Sequence, residues 1–222
     1  MKLVDSKLNL SIEMSENVVN VLVVENKITL SYVIENIWKQ CNGQEGDFVL
    51  SENKMIKIDK EMEVIINPFD LNFNNKKIIS ALYSNLSEKA NELIEEKAEL
   101  NSKIINFLDK IILSESYAGI EFALDFSWND LFKMYNIKID DNYDSLLNRM
   151  TEYIKLITNF CGIKVLCIIN IKTYLSEQEL SELYACANHN KIFLLLIEAS
   201  ESEKLFNEKI IIIDEDDCLI VK

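Results

Sequence analysis

The chain has 222 residues, 49% of them hydrophobic, with 37 Asp and Glu against 23 Lys and Arg and so a formal net charge of -14. With 4 glycines and 1 proline, the composition excludes collagen-like, mucin-like and disordered classes and is sufficient to bury a real core. So acidic a balance argues against a simple basic-patch nucleic-acid binder, though not against one that gathers its lysines on one face.

No run approaches the ~18–20 apolar residues of a membrane span, and the first residues lack the apolar core of a signal peptide. Cys41, Cys161, Cys167, Cys186 and Cys218 contain no C-x-x-C pair. Most sit in apolar runs, so reduced, buried thiols in a cytoplasmic protein are expected.

Residues 7–12 and 18–24 read as strands, the second a nearly continuous apolar run suited to burial on both faces. Thr29 is placed to cap a helix that turns Val33, Ile34, Ile37 and Trp38 inward and stops near Asn42-Gly43. Short strands are expected at 48–50, 55–58 and 63–66, and Pro68 then breaks the chain.

From residue 87 to 113 the pattern changes. Leu86, Leu93, Leu100 and Phe107 recur every seven residues, with Ala90, Lys97, Ile104 and Ile111 between them. That is the 3.5-residue period of a helix packed along a partner. About 27 residues at ~1.5 Å each make a rod of roughly 40 Å. Residues 144–161 carry a second stripe, from Leu146 through Tyr153 to Phe160, ended by Gly162, so an intramolecular helical hairpin is expected. Lys97, at a seam position, reads as a snorkelling or rim residue.

The last third returns to alternation. Residues 164–171 and 191–197 read as buried strands, Ser176 and Glu179 form a capping box that starts a helix between them, and 209–213 with 218–221 form a terminal hairpin. Strand, helix and strand in this order predict a right-handed crossover and parallel pairing. The predicted class is α/β. An α/β head with a parallel-type sheet is built from residues 1–70 and 162–222. An α-helical leg, 71–161, is inserted between them, with an acidic hinge near 119–130.

Candidate chemistry is sparse. The segment 171–176, with Lys172, stands where a phosphate loop would, but no glycine follows Gly162, and phosphate cradles need glycine so that backbone N–H groups can converge. His189 is the sole histidine and lies at a helix end, so no His cluster exists. The acidic turn 214–217 can be a two-metal nuclease centre or a solvated hairpin tip.

Glu121, Asp125 and Asp130 lie between two helices, and with loop carbonyls and water they suffice for a hard cation such as Ca2+, helix capping being the alternative. Arg149 is the sole arginine among the basic residues. Lys54, Lys57 and Lys60 alternate with apolar residues, and Lys133 and Lys138 follow the acidic segment. Lysine without arginine suits sequence-blind phosphate contact rather than bidentate base reading.

The order of these features resembles a known family over essentially the whole chain. The residues that carry the likeness are Val165-Leu166-Cys167-Ile168-Ile169-Asn170, Tyr174-Leu175-Ser176-Glu177-Gln178-Glu179, Phe193-Leu194-Leu195-Leu196-Ile197-Glu198 and the ending Ile213-Asp214-Glu215-Asp216-Asp217-Cys218-Leu219-Ile220. The chain is similar to the type II-A CRISPR adaptation proteins, the ring-forming double-stranded-DNA-binding "Csn-two" family. The resemblance implies a head related to a degenerate P-loop-like fold and a calcium-stabilised homotetrameric ring that binds the ends of linear duplex DNA through a lysine-lined hole.

It also implies no catalytic activity, and spacer acquisition alongside the integrase complex and the RNA-guided effector nuclease. By position, Asp125 and Asp130, with Glu121, become calcium ligands, and Lys54, Lys133 and Lys138, with Lys57, Lys60 and Arg149, become DNA contacts. Phe122, Ala123 and Leu124 depart from the denser run of acids found elsewhere in the family at the hinge. A metal-dependent nuclease using residues 214–217 and a protein-only scaffold are the competing expectations.

Overall fold

The computed structural model describes residues 1–117 and 119–222. Strands β1 (Lys2–Asp5) and β2 (Leu10–Glu13) form an antiparallel hairpin where a single strand over 7–12 is expected. Asp5, fully buried, makes the turn between them, its Oδ1 accepting the N–H groups of Lys7 at 2.8 Å and Leu8 at 3.0 Å. β3 (Val19–Val24) is buried at every position.

Helix α1 (Lys27–Cys41) is capped not by Thr29 but by Asn26, whose side chain accepts from the N–H groups of Ile28 and Thr29. Val33 and Ile37 point into the core, whereas Trp38 is 42% exposed. The helix ends at Asn42, and Gly43 follows with a φ of 75°.

β4 (Phe48–Ser51), β5 (Met55–Ile56), the short α2 (Ile58–Glu61) and β6 (Met62–Ile65) follow. Three helices, α3 (Lys76–Ala90), α4 (Ile94–Ile112) and α5 (Trp128–Met134), precede α6 (Leu146–Cys161), which ends on Gly162 at a φ of 66°. The chain closes with β7 (Val165–Ile169), α7 (Glu177–His189), β8 (Phe193–Glu198), β9 (Glu208–Ile213) and β10 (Leu219–Val221). The expected capping box opens α7: Ser176 accepts the Glu179 N–H while the Glu179 carboxylate accepts that of Ser176.

The fold is mixed α/β. One sheet has the order β2-β1-β4-β5 and is antiparallel, the other β10-β9-β3-β8-β7-β6. In the larger sheet β9, β3, β8, β7 and β6 run parallel, and β10 pairs antiparallel with β9 as the expected terminal hairpin. Alternate residues divide its two faces. Leu22, Val24, Leu195, Ile197, Ile211 and Ile213 join Val33 and Ile37 of α1 and Leu3, Leu10, Ile12, Phe48 and Leu50 of the small sheet in one core. The intervening Val21, Leu194, Leu196 and Ile210 are equally buried, on the face served by α6 and α7, which bury Met150, Tyr153, Ile154, Ile157, Leu180, Leu183 and Tyr184.

The chain forms two compact units, Met1–Phe73 with Asp141–Lys222, and Asn74–Asp140. The boundaries therefore differ from the expected 70/71 and 161/162, and α6 belongs to the first unit, where it packs on α7. The long rod expected over 87–113 is two helices, broken at residues 91–93. In the second unit α3 packs on α5 through Tyr83 and Phe132, ring centroids 5.5 Å apart. No helix among the described residues is long and apolar enough to cross a membrane.

Asn20 stands in the middle of β3, only 1% exposed, and neither its Oδ1 nor its Nδ2 has a hydrogen-bond partner. A buried amide without partners costs about 1–3 kcal/mol. Asn20→Val, a better strand residue of similar width, is expected to raise stability by about 1 kcal/mol, read as a higher urea midpoint. A lower midpoint would show that the amide is satisfied in solution.

Candidate nucleic-acid interface and acidic segment

The segment after β7 has the place of a phosphate loop and none of its openness. Asn170 takes a left-handed conformation, φ 53°, and its Oδ1 receives the Ala199 N–H at 3.1 Å; a single 3-10 turn, Ile171–Thr173, follows. The Lys172 ammonium turns inward. It lies 2.9 Å from Glu208 Oε2 with the two side chains 5% and 0% exposed, and it also donates to the Glu203 carbonyl at 2.9 Å. Tyr184 donates its hydroxyl to Glu208 Oε1 at 2.6 Å, and burial with this bond pushes its ionisation far up. A lysine so fully engaged by a buried carboxylate is held for structure and not presented to a phosphate. Its neighbour Glu198, at the end of β8, accepts the Lys172 N–H at 3.1 Å.

Two carboxylates of the acidic turn 214–217 are engaged. Asp214 Oδ1 accepts the N–H groups of Asp216 and Cys218 at 3.0 and 2.8 Å, and Asp217 Oδ1 accepts the Thr29 hydroxyl at 2.6 Å. Thr29 thus ties the terminal hairpin to the start of α1. His189 is exposed at the end of α7, as expected. The expectation of buried cysteines holds for Cys167 alone, whose thiol burial pushes well up; Cys41, Cys161 and Cys186 are half-buried and Cys218 is exposed.

The acidic segment belongs to the second unit. Glu121 is exposed. Asp125 accepts the Phe126 N–H at 2.9 Å through Oδ1 and stands 3.2 Å from the Lys97 ammonium through Oδ2. Asp130 lies in the first turn of α5, bonded to the Ser127 hydroxyl at 2.6 Å and 3.7 Å from Lys133. Ser127 is the cap of that helix. The donors are all oxygen and exposed, which suits a hard cation. Among the described residues, however, no three His, Cys, Asp or Glu side chains are grouped to hold one, and Asp125 and Asp130 each face a lysine.

Lysines expected to meet nucleic acid are dispersed over both units. Lys54, in the turn between β4 and β5, and Lys57, before α2, are exposed, and Lys60 is exposed and pairs with its neighbour Asp59 at 3.2 Å. Lys133 and Lys138 are exposed in the second unit. Arg149 is half-buried and donates to the Phe69 carbonyl at 2.6 Å, which makes it a tie for the loop after β6. Lys97 is the residue whose role sequence reasoning missed. A lysine four residues before Asn101 on a seam gives no sign that a distant carboxylate will close on it.

By its described residues this is an acidic α/β protein of two units, with the lysine after β7 turned inward onto a buried carboxylate. The comparisons make the assignment specific. The family model described as CRISPR-associated protein (Cas_Csn2) matches residues 40–217, and the chain belongs to that family, which carries a role in CRISPR adaptation. It is similar to the CRISPR-associated protein Csn2 of Enterococcus faecalis, 21% identical over 182 residues that cover 80% of this chain and 81% of that protein.

The buried network after β7 has a pH signature. Burial raises Glu198 from 4.5 to about 7. Between those values the folded chain keeps a proton that the unfolded chain has released, so this contribution to stability declines as pH rises towards 7 and is level above it. Glu198→Gln keeps an acceptor for the Lys172 N–H. It is expected to gain on the parent by on the order of 3 kcal/mol across that interval, measured as the difference in their unfolding free energies. Parallel pH profiles would show Glu198 ionised throughout.

Proposed function

We propose that this protein is a non-catalytic, sequence-nonspecific binder of linear double-stranded DNA ends, acting as a homotetrameric ring in CRISPR spacer acquisition, with calcium held by the acidic segment. Its partners in this reading are the CRISPR integrase complex and the RNA-guided effector nuclease, in the cytoplasm. The match to the Csn2 family over residues 40–217 carries the proposal.

The second unit supports self-association. Of its apolar side chains only Ile78, Tyr83 and Phe132 are buried among the described residues, and α4 buries none of its 19 residues. Of the expected seam, Leu93, Leu100, Phe107 and Ile111 are exposed, while Leu86 and Ile104 are half-buried. Units this thinly cored draw stability from association. The charges along α4 favour a second copy laid antiparallel: Glu95, Glu96 and Glu99 outweigh Lys97 in its first half, and Lys103 and Lys110 outweigh Asp109 in its second.

The lysines support backbone contact. Lys54, Lys57 and Lys138 are exposed and carry no ion pair among the described residues, and the single arginine is already tied to a carbonyl. Four copies of a few such lysines around one bore reconcile a net charge of -14 per chain with an anionic ligand, at the cost of a steep salt dependence. The head in this reading is a P-loop-like fold that has lost its loop, its lysine buried against Glu208. Asp125 and Asp130, with Glu121, would hold calcium, whose charge would neutralise the segment.

Gel shifts with linear and closed circular duplex, with and without calcium, alongside light scattering, test the reading. Linear DNA is expected to be retained at low salt by a tetramer, and incubation with magnesium to leave it uncut. Lys133→Glu is expected to weaken binding to all sequences alike, and Asp130→Ala to loosen the ring and weaken binding. A monomer indifferent to DNA, or DNA cleaved in a manner removed by Asp216→Ala, would overturn the proposal.

A further inference from the structure

β10 forms one edge of the larger sheet, and it is the more exposed of the two. Leu219, Ile220 and Val221 are 39%, 43% and 59% exposed, whereas β6, at the opposite edge, buries Met62 and Ile65. No charge or proline interrupts the three residues, although such residues are the usual protection of an edge strand against pairing. The ladder with β9 decides which backbone groups of β10 are already used. Ile220 stands opposite Ile212, the Lys222 N–H reaches the Ile210 carbonyl at 3.0 Å, and the Cys218 carbonyl receives the Asp214 N–H at 3.1 Å. Residues 218, 220 and 222 therefore turn their backbone groups to β9. Those of Leu219 and Val221 point off the edge and carry no partner among the described contacts.

We propose that β10 pairs with β10 of a second copy, antiparallel about a twofold axis at Ile220, so that the two larger sheets run on as one. The inference names a surface for the self-association proposed above and rests on that reading. In this register Leu219 of each copy stands opposite Val221 of the other, and the outward N–H and C=O groups of both meet as hydrogen-bonded pairs. A shift of one residue sets outward groups against inward ones and leaves no such pair. The two Ile220 side chains meet at the non-hydrogen-bonded position between, their Cα atoms about 4.5 Å apart.

Charge selects the antiparallel sense. At one end of β10 stands the turn Asp214-Glu215-Asp216-Asp217, with Glu25 and Lys27 beside it cancelling one another. At the other end Lys222 pairs with Glu201 at 2.6 Å, and the Lys204 ammonium reaches the Lys222 carbonyl at 3.4 Å. Lys209 opens β9 there, Glu203 is the remaining acid of the loop, and Glu208 is neutralised by Lys172. That end is therefore close to neutral. Antiparallel pairing sets each acidic turn against it, whereas parallel pairing would stack one acidic turn on the other. Three residues a side bury far less than the ~1,000 Å² of an interface that stands alone, so the pairing adds to an association held elsewhere as well.

Disulfide trapping in the full chain tests this, with the exposed Cys218 first replaced by serine to set the background. Ile220→Cys in that chain is expected to give a disulfide-linked dimer under copper-phenanthroline oxidation, because the self-paired spacing lies within the range a disulfide spans. Leu219→Cys, of similar exposure on the same strand, is expected to give about fivefold less, since its counterpart lies two residues along the partner strand, beyond ~7 Å. Val221→Pro removes only an outward N–H. It is expected to abolish the Ile220→Cys dimer while leaving the circular dichroism of the fold unchanged. Light scattering of the parent chain separates the two readings. A parent that self-associates while Ile220→Cys and Leu219→Cys cross-link alike, or not at all, would overturn the β10 pairing and leave self-association standing. A monomeric parent without cross-links would overturn both and assign the edge to a strand of another protein.

Discussion

A parallel sheet has no face that tolerates water, and that constraint distributes most of the apolar residues of this chain. β3, β7 and β8 are buried essentially end to end. One face is covered by α1 and the small antiparallel sheet, and the other is served by α6 and α7. The stripe on α6 is therefore used on the sheet: Met150, Tyr153, Ile154 and Ile157 are all nearly inaccessible. The helices of residues 74–140 are left with a sparse core, and α4 keeps much of its apolar seam exposed.

Charge is handled with similar economy. Cations that the fold needs are placed against specific acids: Lys172 in the interior with Glu208, Lys97 beside the Phe126 and Trp128 rings with Asp125. The interior pair is insulated from solvent and binds the loop before β9 through the Glu203 carbonyl and the Leu205 N–H. Removing one member of such a pair strands a buried charge, so the network favours rigidity over exchange with a ligand. Lys54, Lys57 and Lys138 are among many exposed lysines that carry no ion pair among the described residues.

Local signals were legible wherever the physics is local. The capping box of Ser176 and Glu179, the left-handed stop at Gly162 and the terminal hairpin about residues 214–217 each involve residues a few positions apart. Thr29 shows the opposite case. It has the chemistry of a cap, but Asn26 reaches the helix N–H groups and the Thr29 hydroxyl goes instead to Asp217, 188 residues away. Lys97 was legible as a seam position and not as the partner of Asp125, because the two stand 28 positions apart with no pattern that brings them together.

The sequence by itself determined the α/β class, the paired buried strands flanking a capped helix, the absence of a glycine phosphate loop and the placing of acids and lysines without arginine. Periodicity and capping act over one or two turns, so they survive in the linear order of residues. Only the tertiary structure decided that α6 belongs to the sheet, that the rod breaks at 91–93, and that Lys172 and Lys97 each answer a particular carboxylate. Those outcomes depend on which apolar face competes best for the parallel sheet and on which charges are then brought within a few ångströms. Neither is written in the spacing of residues along the chain.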